Sequence, residues 1–505
     1  MKVNTSQPKD VRHDKRLFLA CFMAMVTTSF AFILRALTLP QWEAEFNLTK
    51  TQVGEIAGVG LWPYAISIVL FSLIIDKIGY KKSMVFAFIC HILSAVLTYF
   101  AEGYTMLYVA TFIMAIGNGT VESAINPVTI TLFPNNNTKW LNILHAGWPM
   151  GLIMGGILVL IMGPEVAWRF KMLLVILPAV TYALLMFPLI FPVQQRVKAG
   201  VPYIKMLKEL GIGGALMITV LIVFQLGVVL SWSTTANIII ALAITATFGY
   251  FVHSFGQPLF IIILLIMIPL STTELGTDGW ISDLMAPAMS KIGLQAGWIL
   301  VYTSAIMAVM RFSIGKFVHK IKPLGILVIC SAIASLGLFL LSTSAGIMIL
   351  IAATVYGLGK SLLWPTVLGV VADQFPKGGA LTLNTTTGVG MIGGGIIGAV
   401  ILGFIQDKTV ETNILAYDKA NNTALHSTYI AAEKTSLFGN YQALDLDKLS
   451  SAGEADQQIV LGIQGNAKKE ALKAVAFFPI LMMISWVLLM LYFKLKGGYK
   501  KVLLE

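Results

Sequence analysis

The sequence predicts an all-α polytopic membrane protein of about fourteen spans, arranged as two pseudo-symmetric six-helix bundles with two extra helices between them. Three observations carry the membrane-spanning all-α class, and an internal repeat carries the pseudo-symmetric halves. Apolar stretches of about 20 residues recur along almost the whole 505-residue chain, the length that a hydrocarbon layer of ~30 Å asks of a helix. The composition is 57% hydrophobic and only 12% charged, too apolar for a soluble fold of this size. Many of the 45 glycines fall inside these stretches, where they let helices approach closely in lipid.

In chain order, the first sixteen residues are polar and basic, and the apolar run from Leu17 is longer than a signal-peptide core and lacks a small-residue cleavage site. It therefore stays as span 1, about 17–39, followed by a loop PQWEAEFNLTKTQ in which Thr49 caps the next helix. Span 2 ends at Asp76, the turn DKIGYKK follows, and spans 3 to 6 lie at about 83–101, 105–133, 139–162 and 170–191. A basic linker, PVQQRVKAGVPYIKMLKELG, divides the chain. Two segments at about 212–230 and 237–252 form the extra pair, and six more spans follow at about 258–281, 297–315, 323–343, 346–374, 379–404 and 473–493. Residues 405–469 are a polar insert with no apolar run, a soluble loop or small cap. The expected organisation is thus 1–191, an N-terminal bundle; 192–257, the linker and extra helices; and 258–505, a C-terminal bundle carrying the insert.

The net charge of +11 comes from lysines and arginines in short loops rather than on one soluble face, so no nucleic-acid partner is expected. With the N-terminus inside, Lys77, Lys81, Lys82, Lys139, Lys316, Lys320, Lys322 and Lys377 all fall on the cytoplasmic side. The short outer loops keep only Lys50, Arg169, Lys171 and Lys291, so both termini are placed in the cytoplasm and the insert outside. The three cysteines, Cys21, Cys90 and Cys330, lie in apolar segments without metal-ligand or CxxC spacing and read as packing residues. No nucleophile with base and orienter, metal-ligand cluster or phosphate loop is evident, so an enzyme and a cofactor are not expected.

The chemistry centres on GNGTVESAINP, where Glu122 sits about halfway along an apolar span. A carboxylate there costs roughly 3 kcal/mol or more and normally faces protein or a water-filled path. Residues 117–156 have a counterpart late in the chain: eight residues separate Gly119 from Pro127 and Gly357 from Pro365, and twenty-eight separate Pro127 from Gly155 and Pro365 from Gly393. Matched intervals in corresponding helix pairs point to duplicated halves around a central site. This alignment pairs Glu122 with Lys360 across the pseudo-symmetric interface, either as a structural ion pair or as a protonation switch.

Other intramembrane polar residues have two readings each. Arg35 either snorkels to the outer interface or contacts substrate or a gating partner. Glu274, beside Thr272 and Thr273 and six residues before Trp280, is a substrate or coupling candidate. Asn126, Asn142, His145 and Asn384 offer the uncharged donors and acceptors that a polyol needs, or simply bond between helices. Trp148 and Trp364, with Trp62, could stack on a sugar face or pack. Arg311 with Lys316 and Lys320 reads as an inner-face charge cluster.

These motifs resemble those of the major facilitator superfamily, and within it the sugar porters related to the L-fucose:proton symporter. GNGTVESAINP is similar to the family's span-4 pattern GxGxxExxxNP, and LNILHAGWPMG to its span-5 LNxxQxxxxxG, with His145 in place of glutamine. WPTVLGV through MIGGGIIGAVILGFIQD resembles the family's YPTIFSL and IGGGI segments. The turn from Ser72 to Lys82 resembles the signature GxxxDRxGRR, keeping Asp76, Gly79, Lys81 and Lys82, which implies a gating role for these four. The resemblance implies alternating access and proton-coupled sugar uptake, with Glu122 matching the family's span-4 glutamate. The family's protonatable span-1 aspartate falls on Ala36, beside Arg35.

The expected function is secondary active transport of a small polar solute, a sugar, across a bacterial inner membrane by a monomer that draws on the proton gradient. A sugar acid or other organic anion held by Arg35 and Lys360 is the alternative, and a non-transporting membrane sensor is an alternative of another class.

Overall fold

A computed structural model describes residues 11–48, 50–163, 165–277, 293, 295, 297–344, 346–394, 398–436 and 439–504. Twelve helices among them are long and apolar enough to cross a membrane. They are α1 (Val11–Phe46), α2 (Gln52–Ile78), α3 (Tyr80–Tyr99), α4 (Tyr104–Leu132), α5 (Asn137–Met162), α6 (Trp168–Met186), α7 (Tyr203–Val229), α8 (Thr234–Val252), α9 (Pro258–Gly276), α11 (Pro323–Thr343), α12 (Met348–Gln374) and α15 (Glu454–Leu495). The two shorter helices α10 (Trp298–Ser313) and α13 (Gly379–Gly393) hold the places of the other two expected spans. In the insert, α14 (Ala399–Asn421) leads to a hairpin of β1 (Ile430–Ser436) and β2 (Gly439–Leu444), antiparallel with Glu433 opposite Gln442.

Helix α1 packs on α5 and α6, and α4 on α2 and α3, forming one bundle; α11 packs on α12 and α15, and α9 on α13 and α15, forming the other. The halves meet where α2 lies on α13, α5 on α10, and the start of α5 on the end of α12. Close approach within the first bundle depends on Gly119, where a β-carbon would stand 2.2 Å from the Tyr64 carbonyl oxygen and 2.1 Å from Ser67 Oγ. That contact sets the spacing of α2 and α4 and therefore the reach of Tyr64 toward Glu122. The extra pair α7 and α8 pack on each other, with α7 against α9 and α13, and turn large apolar side chains such as Ile239, Tyr250 and Phe251 outward.

One expectation is corrected, and two are sharpened. The segment after span 1 is not a loop: α1 continues through Pro40 to Phe46, because Trp42 is buried against Trp168 and Glu45 accepts from Trp168 Nε1 and Arg169 Nη1 at 2.5 and 2.6 Å. Tertiary contacts outweigh the single backbone bond that proline removes; Thr49 lies outside the described residues. The basic linker is also largely ordered. Gln194 caps the short helix Gln195–Lys198, and a helix from Tyr203 joins the next span across Gly211, whose φ of +59° a side chain would disfavour. Of the two forms expected for the insert, it takes the small cap. Helix α14 and the first part of α15 extend beyond the bundle and bury Val410, Ile414, Leu425, Tyr429, Val460 and Ala467 in a core of their own.

At the end of the bundle where α1 begins and α15 ends, the halves are tied together. Asn137 Nδ2 donates to Asp373 Oδ1 at 3.0 Å, and Asn142 Nδ2 to Thr366 Oγ1 at 3.2 Å. The chain after α15 crosses this end as a strap: Tyr499 Oη donates to Asp373 Oδ2 at 3.1 Å, Val502 N to the Asp373 carbonyl at 2.9 Å, and Lys501 Nζ to the Pro134 carbonyl in the opposite half.

Replacing Gly119 by valine is expected to destabilise the protein by about 1–3 kcal/mol, because the obstructing atom is backbone and cannot swing away. A lowered thermal midpoint of the solubilised protein, compared with Gly54→Ala at an uncrowded position, checks this.

Candidate functional site

A cavity of about 30 Å³ lies between the halves, lined by Met25, Tyr64, Glu122, His145, Trp148, Glu274, Leu275, Arg311, Trp364 and Met391. It gathers five of the residues expected from sequence, Glu122, His145, Trp148, Glu274 and Trp364, and brings the two tryptophans in from opposite halves.

Its two carboxylates are in different electrostatic states. Glu274 is carried by a π-helical turn, Thr272–Gly276, that ends α9, a distortion that recurs at functional sites. It accepts from Arg311 Nη2 at 2.9 Å, with both side chains buried. The same guanidinium donates through Nε to the Ser361 carbonyl at 2.8 Å and through Nη1 to the His145 carbonyl at 2.7 Å. Arg311 thus joins α9, α10 and α12 to α5 of the other half. Reading it as part of an inner-face charge cluster is corrected: it lies five residues, roughly 7.5 Å, deeper than Lys316 and is almost fully buried.

Glu122 has no such direct pair, although the Arg311 guanidinium lines the same cavity. Tyr64 Oη donates to Glu122 Oε2, and His145 Nε2 stands 3.9 Å from Oε1. Among the described residues, no lysine or arginine pairs with Glu122. His145 Nε2 is 2.9 Å from Asn126 Oδ1, so the imidazole and the amide share a hydrogen bond. A buried carboxylate held by a phenol and faced by an imidazole has partners for either protonation state.

The predicted Glu122–Lys360 pair does not form. Lys360 is buried with Nζ 5.2 Å from the centre of the Tyr356 ring, one turn back on α12, and Tyr356 Oη donates to the Thr273 carbonyl. A helical side chain leans toward the N-terminus of its own helix, which carries this ammonium along α12 toward α9 rather than across to α4.

Asn142 and Asn384 are not at the cavity. Asn142 bridges to Thr366, and Asn384 Nδ2 donates to the Ser123 carbonyl at 3.0 Å, so each links one half to the other. Asn126 stands behind His145, and Trp62 packs edge-on against Phe112 at 5.6 Å. Trp280 lies outside the described residues. Arg35 does not snorkel outward. It is 9% exposed, its guanidinium lies against Gly60, where a β-carbon would be 1.6 Å from Nη1, and it stands 5.5 Å from the centre of the Phe32 ring.

In the turn expected to gate, Asp76 pairs with Arg196, a partner in the linker that sequence reasoning missed. Gly79 makes the turn at φ +84°, Lys81 Nζ caps the end of α6 through the Phe187 and Leu189 carbonyls at 2.7 and 3.1 Å, and Lys82 is exposed.

Two bundles around a buried, charge-bearing cavity define a membrane transporter fold, and comparison with known proteins gives its family. The family model described as Major Facilitator Superfamily matches residues 17–400, and the chain belongs to that superfamily. Over 125 residues, 24% of this chain, it is 30% identical to the L-fucose-proton symporter of Escherichia coli, covering 28% of that protein. Over 140 residues, 27% of this chain, it is 26% identical to the gentisate transporter of Corynebacterium glutamicum, covering 32% of it. The aligned stretches thus span about a third of those relatives. The crystal structure of the E. coli fucose:proton symporter superposes with a TM-score of 0.58 at 16% identity, covering 93% of this chain and 98% of that one. That of a human organic anion transporter gives 0.62 at 11% identity, covering 95% and 100%.

Arg311→Gln is expected to cost about 3–5 kcal/mol by leaving Glu274 buried without its counter-charge. The double change Glu274→Gln with Arg311→Gln should recover most of that loss, a difference that thermal unfolding of the solubilised variants measures.

Proposed function

We propose that the chain is a proton-coupled transporter that carries a small sugar-like solute by alternating access between its two bundles. The observation behind this reading is the charge balance of the cavity: Glu274 is matched by Arg311, whereas Glu122 has hydrogen-bond partners but no cationic one. A buried carboxylate without a direct ion pair is most easily carried through a closed, dry intermediate when it is protonated. Glu122 is therefore the proton carrier. With the cavity open to the outside it takes a proton from water, solute binds between Trp148 and Trp364, and the halves close over both. Opening at the end held by the tail releases the solute, and the proton follows. His145 and Tyr64 keep Glu122 hydrogen-bonded through the cycle.

The bias of lysine and arginine toward the loops at the end held by the tail supports a cytoplasmic position for that end. The working setting is a bacterial inner membrane, with a single chain as the transporting unit. The local similarity to the L-fucose-proton symporter supports a sugar-like solute, and Asp76 with Arg196 is the inner-face latch that must rearrange as the halves rock.

Glu122→Gln in proteoliposomes should abolish uphill uptake driven by an inward proton gradient while preserving solute counterflow, which needs no proton cycling. Uphill uptake by this variant would overturn the carrier role. Absence of counterflow from the unmodified protein would favour a non-transporting sensor.

A further inference from the structure

Next to the central cavity is a second chamber of about 20 Å³, lined by Arg35 and, among others, Phe32, Gly60, Thr98, Thr111 and Asn118. Tyr64, Trp148 and Met391 line both spaces, so the two are neighbours separated only by shared side chains. We infer that this chamber is the carboxylate subsite of the transported solute, so the cargo is a sugar acid, a hexuronate or aldonate monoanion, rather than a neutral sugar. The inference rests on the reading of the central cavity as the transport site.

Arg35 is nine-tenths buried and, among the described residues, pairs with no carboxylate. A guanidinium held in the membrane interior without a counter-charge is costly, and an incoming anion removes that cost. The chamber also supplies neutral donors. Asn118 Oδ1 is occupied by His91 Nε2 at 3.0 Å, which leaves the Asn118 amide N–H groups for a ligand, and the Thr98 and Thr111 hydroxyls stand with it. A planar guanidinium with such neighbours matches the two oxygens of a carboxylate.

Size and spacing set the class. The chamber has room for a group of one or two waters' volume, which suits a carboxylate. Gly60, beneath the guanidinium, lies in the turn just before the helical stretch that carries Tyr64, and Tyr64 lines both spaces. A monosaccharide acid therefore reaches from Arg35 to the tryptophans and Tyr64 of the central cavity. The solute anion would answer the Arg35 charge, as Arg311 answers Glu274. One anion carried with the proton on Glu122 then crosses with no net charge.

The test uses the full chain in proteoliposomes with labelled D-glucuronate, D-gluconate and D-glucose, and glucuronate binding followed by tryptophan fluorescence. The expected result is accumulation of an acid but not glucose, driven by a pH gradient and insensitive to membrane potential. Arg35→Gln should weaken acid binding by about 10- to 100-fold, with Arg35→Lys intermediate, while both variants elute as the folded unmodified protein does. If Arg35→Gln misfolds, Gly60→Ala, which displaces the guanidinium from its seat, gives the same readout. Glucose uptake that survives Arg35→Gln and is lost in Glu122→Gln would overturn the carboxylate subsite and leave the proton-coupled reading intact. Acid binding that depends on Arg35, with uphill uptake persisting in Glu122→Gln, would uphold the subsite and overturn the proton role. No binding or flux of any of the three probes would overturn the subsite as assigned.

Discussion

Every charge in the interior of this protein needs a match, and the most extensively matched is Arg311. Its guanidinium satisfies a carboxylate and two carbonyls from three different helices, one of them in the opposite bundle. The contact to the His145 carbonyl is made to backbone, so it binds the halves together without using any side chain of the first bundle. A rocking motion has to release or re-form that bond, while the Glu274 pair moves within its own half. The arginine is therefore both a structural counter-charge and part of the moving seam.

The differing states of Glu122 and Glu274 follow from their helices. Glu274 sits where the π turn widens α9, and α10 presents Arg311 to it. Glu122 sits on a regular stretch of α4, pressed close to α2 by Gly119, so the group that meets it is a tyrosine on the neighbouring helix. One packing choice made with a glycine thus decides that a neutral donor, and not a cation, faces this acid.

Much of the fold was legible because span length is a physical quantity: a run of about 20 apolar residues has few other uses. The short helices α10 and α13 fall within the expected spans at about 297–315 and 379–404, although TLNTTTGVG is weakly apolar. Pro40 misled, because a proline marks a boundary only when nothing packs beyond it, and Trp42 does. Within the site, Glu122, Glu274, His145 and both tryptophans stood out as polar or aromatic residues in apolar runs. Arg311 did not, since Lys316 and Lys320 beyond it made it look like the end of a basic loop. Lys360 was placed on the correct helix but given the wrong partner. An internal repeat aligns backbones, and the direction of a long side chain depends on which neighbour it lies along, here Tyr356.

The strap formed by Tyr499 to Val502 lies outside the membrane-spanning helices, yet it grips Asp373 in one half and Pro134 in the other. In the alternating-access cycle proposed above, a contact that holds the halves together at one end is linked to every ligand that favours one arrangement of the halves. A fused domain or binding protein that competed for this peptide would then act on the distant cavity, and the cavity's ligands on the availability of the tail.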